Sequence, residues 1–434
     1  MKFKKHLLIS FLLIVLVNIL LAQNPKENWL QYKTPEDAGF SSEKIAEAKK
    51  MYDTLGSSAF MVIYDGNVLI SWGDIERRFM CHSIRKSFLS AMYGVHAKKG
   101  DVDLNKTIKE LQITDNIPLN EIEETATVKD LLKARSGIYL SAAYETPKMK
   151  EMRPKRGSHT PNTFWYYNNW DFNVLAAIYQ RETGKDIFID FNLLFAKPLQ
   201  MQDYRETDGY YHVEPENSIY PAYPFRMSTR DMARFGLLFL RNGKWNNKQI
   251  VSANWIREST ASYSDAGNGG GYGYLWWTNG YEGMLDFYSA RGAGGHVIGI
   301  VPSKNIVFVH RVDTYKDKSV AYNDAFKLAK MILAAHVFGA KKNPQLISLS
   351  ETKENVKPIQ INRDILKKYI NTYKIDNKYF SIVEYKDGLM LVDPTNGRFR
   401  IFPVLETKFY IEDIEQYLTF ELNNEGIPAK IIFE

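Results

Sequence analysis

The sequence predicts an α+β protein, on three observations. Strand-like runs stand at both ends of the stretch from Phe60 to Val312, and helix-periodic segments fill the space between them. Past Gly339 the composition shifts to short apolar runs broken by turn residues, the pattern of a small all-β unit. Early and late strands separated by helices imply one mixed antiparallel sheet, closed by both sets of strands and covered by helices.

Each element has a local reason. Phe60–Tyr64 and Val68–Trp72 are β-rich runs around Asp65-Gly66-Asn67, which predicts a hairpin. Phe88, Met92 and Val95 recur at helical spacing and predict a helix from about Ser83 to Lys99, stopped by Gly100. Thr127, with Asp130 three residues on, reads as the N-cap of a second helix ending at Ser136-Gly137. Further helices are predicted near 171–183, 229–242 and 318–338, and strands on either side of Pro302-Ser303-Lys304-Asn305. Residues 341–358 read as a linker. Beyond Ile359, turn signals at Asp387-Gly388, Asn396-Gly397 and Asn424-Glu425-Gly426 predict a C-terminal β domain over 359–434.

Lys2, Lys4 and Lys5, an apolar run from Leu7 to Leu21 and the small Ala22 read as a secretory signal peptide over residues 1–22. The run is short of the ~20 apolar residues that span a bilayer, so the expectation is an exported protein, periplasmic or secreted, with no stable membrane span after cleavage. The net charge of +6 falls to +3 without the three leader lysines, which gives no case for nucleic acid. Cys81 is the only cysteine, so no internal disulfide can form.

The chemistry centres on Ser83-Ile84-Arg85-Lys86. A serine and a lysine three residues apart share a helical face, and a lysine whose amine is desolvated can take the hydroxyl's proton. The same spacing occurs at Ser41-Lys44 and Ser350-Lys353. The first reads as a helix N-cap followed by a surface lysine, and the second falls in the linker. Ser83, at a predicted helix N-terminus, can turn its own N–H toward a developing oxyanion. An aromatic loop, Phe164 to Asn169, precedes an apolar helix, and a phenol placed near Lys86 suits proton transfer. The eight histidines form no i, i+4 pair and no ligand cluster, so no metal and no cofactor are expected. There is no Gly-x-Ser-x-Gly elbow.

Over roughly residues 35–340 the chain resembles the serine β-lactamase and penicillin-binding-protein superfamily, in its class C, esterase and 6-aminohexanoate-dimer hydrolase branch. The resemblance rests on Ser83-Ile-Arg-Lys86-Ser87-Phe88, Thr127-Val-Lys-Asp-Leu-Leu132, Arg135-Ser-Gly-Ile138 and a Tyr-x-Asn box. Met227 to Gly236 and Tyr272 to Trp277 add to it. It implies a hydrolase domain over 23–340, with a five-stranded antiparallel sheet, a helical subdomain and an active site in the cleft between them. Two registers fit the box, Tyr166 with Asn168 or Tyr167 with Asn169. The apolar pair Val174-Leu175 keeps the family's distance from Tyr167, so the resemblance selects Tyr167 and Asn169.

The family's third box, Lys-Thr-Gly or His-Thr-Gly, is represented here by Ala290-Arg291-Gly292, counted back from Pro302. The Ala293 amide then becomes the second oxyanion donor, beside Gly292. Ala290 replaces a residue that helps bind a substrate carboxylate in penicillin-recognising members, with Arg291 as a partial substitute. Trp276, Trp277 and Tyr274 are expected near the cleft, with at least one of them in the core.

These readings lead to a metal-independent serine hydrolase acting on small ester or linear amide substrates. A D-alanyl cell-wall peptidase or weak β-lactamase is the alternative within the class. A catalytically inactive binding or sensor protein on the same scaffold is the alternative outside it.

Overall fold

The structure, a computed structural model, describes residues 24–267, 269–279, 284, 286–350, 356–386 and 388–434. The leader over residues 1–22 and Lys353 of the third Ser-x-x-Lys pair lie outside the described residues. The hairpin predicted from the Asp-Gly turn forms as β2 (Ala59–Tyr64) and β3 (Asn67–Gly73), after β1 (Leu30–Tyr32). Asp65 and Gly66 have φ of +47° and +83°, the left-handed pair that matches the twist of two adjacent strands.

The other strands of this sheet are β4 (Ser264–Gly267), β5 (Gly270–Tyr272), β6 (Trp277–Asn279), β7 (Tyr288–Gly292), β8 (His296–Val301), β9 (Ile306–Arg311) and β10 (Leu346–Ser348). Their spatial order is β10-β1-β3-β2-β9-β8-β7-β6-β5-β4. The expected five-stranded sheet is therefore the centre of a ten-stranded one among the described residues. β3-β2-β9-β8-β7 is antiparallel throughout, while β1 meets β3 in parallel at Gln31 and Val68. The added edge strands are three or four residues long, too short for an alternating pattern to be read. β10 falls inside the stretch read as a linker and pairs with β1.

Both faces of the sheet are covered, which is why β2 is an almost unbroken apolar run. Met61 and Ile63 face one core with α2 (Arg85–Lys99), α4 (Asn169–Thr183) and α5 (Thr229–Leu240). Phe60 and Val62 face the other, with α1 (Ser42–Thr54) and α6 (Tyr322–Ala334). The short α3 (Val128–Leu132) carries the predicted Thr127–Asp130 capping box. It stops four residues before Ser136, because Ala134 turns to φ +55° and the Arg135 amide bonds the Asp130 carbonyl at 2.8 Å. The helix expected from Ser83 opens as a 3₁₀ turn over His82–Ile84 and becomes α-helical at Arg85.

The C-terminal segment forms seven strands in sequential order, from Asn371–Ile375 to Pro428–Phe433, around Phe399, Phe409, Phe420 and their neighbours. The first and last strands approach each other, so the sheet nearly closes into a barrel. It docks on the larger N-terminal domain through buried charge. Arg78 bonds Asp208 at 3.1 Å and reaches Glu412 and Asp413, while Arg226 donates to the carbonyls of Arg398 and Asn396 at 2.6 and 2.9 Å.

Candidate active site

α2 is buried on every side from Arg85 to His96. A helix buried all round occupies the middle of a domain, and this one carries the Ser83-Lys86 pair at its N-terminal end although Arg85, Lys86, Ser87, Ser90 and His96 are polar. Lys86 Nζ and Ser83 Oγ are 2.9 Å apart, in hydrogen-bonding contact. Lys86 is 2% exposed, and its amine sits over the rings of Tyr167 and Phe172, 4.7 Å from each centroid. This burial drives the amine pKa well below the usual lysine value, and the adjacent Arg85 charge adds to the effect. Desolvation thus favours an uncharged amine beside a hydroxyl.

Tyr167 and Tyr166 part ways. The Tyr167 hydroxyl is in hydrogen-bonding reach of Ser83, and burial pushes its pKa up to about 12, which keeps the phenol protonated. The Tyr166 hydroxyl instead donates to the Met149 carbonyl at 2.8 Å. The loop between them and α4 is tied down by buried polar bonds. Asn168 Nδ2 donates to the Ile138 carbonyl at 2.7 Å and to Asp171 at 2.8 Å, and Ser136 donates to the same Asp171 oxygen at 2.6 Å. Asn169 Nδ2 donates to the Tyr144 carbonyl at 2.8 Å, not to Lys86, and its Oδ1 is buried without a partner.

β7 forms the opposite edge. A Cβ on Gly292 would lie 2.4 Å from the Cys81 carbonyl oxygen and 3.2 Å from His82 Cβ. Only glycine allows the strand to lie this close to the Ser83 turn. Ala293 follows, exposed on the hairpin turn. Ala290 is fully buried. Arg291 donates from Nε to Ser289 Oγ at 2.9 Å, and its guanidinium packs on Trp277, Phe326 and Tyr322.

Trp276 corrects the sequence reading. It is fully buried against Phe235, Phe239 and Tyr288, within the core and away from the cleft. Its neighbour Trp277 stacks on Tyr167 at 5.5 Å and takes the place expected of Trp276. Tyr274 is buried and stacks on Tyr263. Cys81 is buried, and its thiol pKa is pushed up to about 12, so it is no nucleophile at neutral pH. His82 bonds Thr314 at 2.8 Å, and burial lowers its pKa to about 3. Among the described residues no group of His, Cys, Asp or Glu could hold a metal ion, and no helix is long and apolar enough to cross a membrane.

Sequence reasoning passed over Phe172, Asp171 and Ser136. The signal for Phe172 was an aromatic one helical turn into α4, on the side that meets Lys86. For the other two it was a polar pair, Ser136 before a turn and Asp171 three residues after Asn168, in segments that are otherwise apolar.

A layered sheet with a helical cleft and a serine–lysine–tyrosine convergence defines the fold class of the serine hydrolases that resemble penicillin-recognising enzymes. Residues 43–328 match the family model described as Beta-lactamase. The chain belongs to that family, whose members are serine hydrolases. A search of curated proteins finds no match. Solved structures share the fold at low identity. "Putative 6-aminohexanoate-dimer hydrolase from Bacillus anthracis" is 21% identical at TM-score 0.50, over 66% of this chain and 81% of that one. A penicillin-binding protein homologue from Caulobacter crescentus is 11% identical at TM-score 0.52, over 68% and 99%. SurE is 14% identical at TM-score 0.51 and extends the match to 89% of this chain and 95% of its own.

Proposed function

We propose that this protein is an exported serine hydrolase that cleaves small esters or linear amides through an acyl-enzyme on Ser83. Neutral Lys86 takes the Ser83 proton as Oγ attacks the carbonyl carbon. The amides of Ser83 and Ala293 hold the oxyanion, and Gly292 lets the strand bring the second of them close. Tyr167 gives its phenolic proton to the leaving oxygen or nitrogen as that bond breaks, and the Lys86 ammonium then reprotonates Tyr167. Water attacks the acyl-enzyme, Lys86 takes its proton, and Oγ recovers a proton as the acid departs. Asn169 Oδ1, left unpaired, accepts from a substrate N–H, while Arg291 and Trp277 form the far wall.

The observation that carries this reading is the 2.9 Å contact of Ser83 with a lysine amine that is buried between two aromatic rings. The protonation states divide the roles. An amine depressed by burial is the base, and a phenol raised by burial is the acid. A fluorophosphonate probe should label the wild type and not Ser83→Ala; active protein that resists labelling would sink the nucleophile assignment. A panel of p-nitrophenyl esters, nitrocefin, D-amino-acid anilides and aminohexanoate oligomers then sorts esters and linear amides from the peptidase and β-lactamase alternatives. Export rests on the leader sequence, and N-terminal sequencing of the secreted protein should begin at Gln23.

A further inference from the structure

Arg85 stands one residue from Lys86, is 1% exposed, and takes no part in the steps above. Its guanidinium lies by the rings of Tyr144 and Tyr223, each centroid 5.2 Å from the central carbon. Nη1 donates to the His82 carbonyl at 3.0 Å. Nε and Nη2 are buried without a hydrogen-bond partner. These two nitrogens form the edge on which a guanidinium binds a carboxylate through two parallel hydrogen bonds. A buried, charged fork left unpaired is strongly unfavourable, so a group from outside the chain must complete it.

Its surroundings supply donors in excess. The hydroxyls of Tyr223 and Tyr210 are also buried and unpartnered, and the phenols of both feel the Arg85 charge. Tyr144 is held at φ +68°, an unfavourable conformation for a bulky side chain, by the Asn169 bond to its carbonyl. A strained residue fixed by a neighbour of the catalytic tyrosine marks a wall built for a purpose beyond packing. Arg291 offers less, since its Nε is already used by Ser289.

We propose that Arg85, with Tyr144 and Tyr223, is a carboxylate-binding subsite, so that the preferred substrate is an ester or amide bearing a free carboxylate near the scissile bond. This rests on the reading of Ser83 as nucleophile. The subsite lies on the Tyr144 wall and is separate from the β7 edge, where Ala290 provides no cation.

Matched ester pairs test it. p-Nitrophenyl acetate against mono-p-nitrophenyl glutarate places the carboxylate on the acyl side, and phenyl acetate against meta-acetoxybenzoate places it on the leaving side. The wild type should favour the charged member of one pair in kcat/KM by about tenfold or more, the discrimination that a paired buried polar group supports. Arg85→Gln should collapse that ratio, and Arg85→Lys should recover part of it. Should Arg85→Gln fail to fold, glutarate but not glutaramide should raise the melting temperature of Ser83→Ala. Equal rates within both pairs, a ratio that survives Arg85→Gln, or no glutarate stabilisation would overturn the subsite. Fluorophosphonate labelling without carboxylate preference removes the subsite alone. Glutarate stabilisation without labelling removes the nucleophile alone.

Discussion

Ser83-Lys86 and Ser41-Lys44 have the same spacing at the start of a helix, yet their surroundings share almost nothing. At Ser41 the hydroxyl accepts the Lys44 backbone N–H at 3.4 Å and serves as an N-cap, while the exposed Lys44 amine reaches the Ala334 carbonyl at 3.3 Å. At Ser83 the hydroxyl meets the lysine amine itself, at 2.9 Å. The helices explain the contrast. α1 buries one stripe, Ile45, Ala48 and Tyr52, and leaves its lysines in water. α2 is surrounded, so Lys86 has aromatic rings where Lys44 has solvent. Spacing brings a serine and a lysine within reach; desolvation is what favours an uncharged amine in the buried pair.

The largest effects should fall on the buried pair. Ser83→Ala should reduce ester turnover to background, as measured by initial rates. Lys86→Met should cost about 10²–10⁴ in kcat, the range of a general base. The buried lysine should also show in the pH dependence of stability. The folded pKa of Lys86 is below its unfolded value, so the unfolded chain binds the proton more tightly, and Lys86 weakens folding as pH falls. Its contribution is fully present above the unfolded pKa and lost as pH falls through the folded one. Urea titrations across pH should therefore show Lys86→Met gaining on the wild type towards acid. For the same reason kcat/KM of the wild type should fall on the acid side, as Lys86 becomes charged, with no alkaline limb from Tyr167 below about 12.

The two tyrosines offer a finer version of the comparison. Tyr167→Phe removes the phenol that faces Ser83 and should lower kcat by about 10², more for amides than for activated p-nitrophenyl esters, whose leaving group needs little protonation. Tyr166→Phe removes only the bond to Met149 and should leave kcat within about twofold. The reverse result would mean that the register chosen from Val174-Leu175 is wrong.

The sequence disclosed what local pattern encodes. The Asp65-Gly66 turn, the Thr127–Asp130 cap and the period of α2 each depend on residues a few positions apart, and each forms where it was read. What depends on distant partners stayed hidden. β4 and β5, Ser264–Gly267 and Gly270–Tyr272, contain glycine and polar residues and become strands only because β6 is there to pair with β5. Trp276 and Trp277 differ by one residue, and one residue exchanges the two faces of the chain; nothing in the Trp-Trp pair says which of them faces the core. Nothing local marks Arg85 as buried, because the rings beside it, Tyr144 and Tyr223, lie 59 and 138 positions away.

The smallest expected effect belongs to the serine that resembles the proposed nucleophile in spacing alone. Ser41→Ala deletes the hydroxyl that receives the Lys44 N–H and leaves that donor to water, at a cost of about 1 kcal/mol in unfolding free energy. Ester turnover per folded molecule should be unchanged, because α1 packs on the sheet face opposite to α2. Ser41→Asp should restore the cap and with it the stability, since a carboxylate accepts the same bond and favours a helix N-terminus. A drop in turnover with Ser41→Ala at full folding would mean that the sheet transmits changes from one face to the other, and that burial around Lys86 does not alone separate the two pairs.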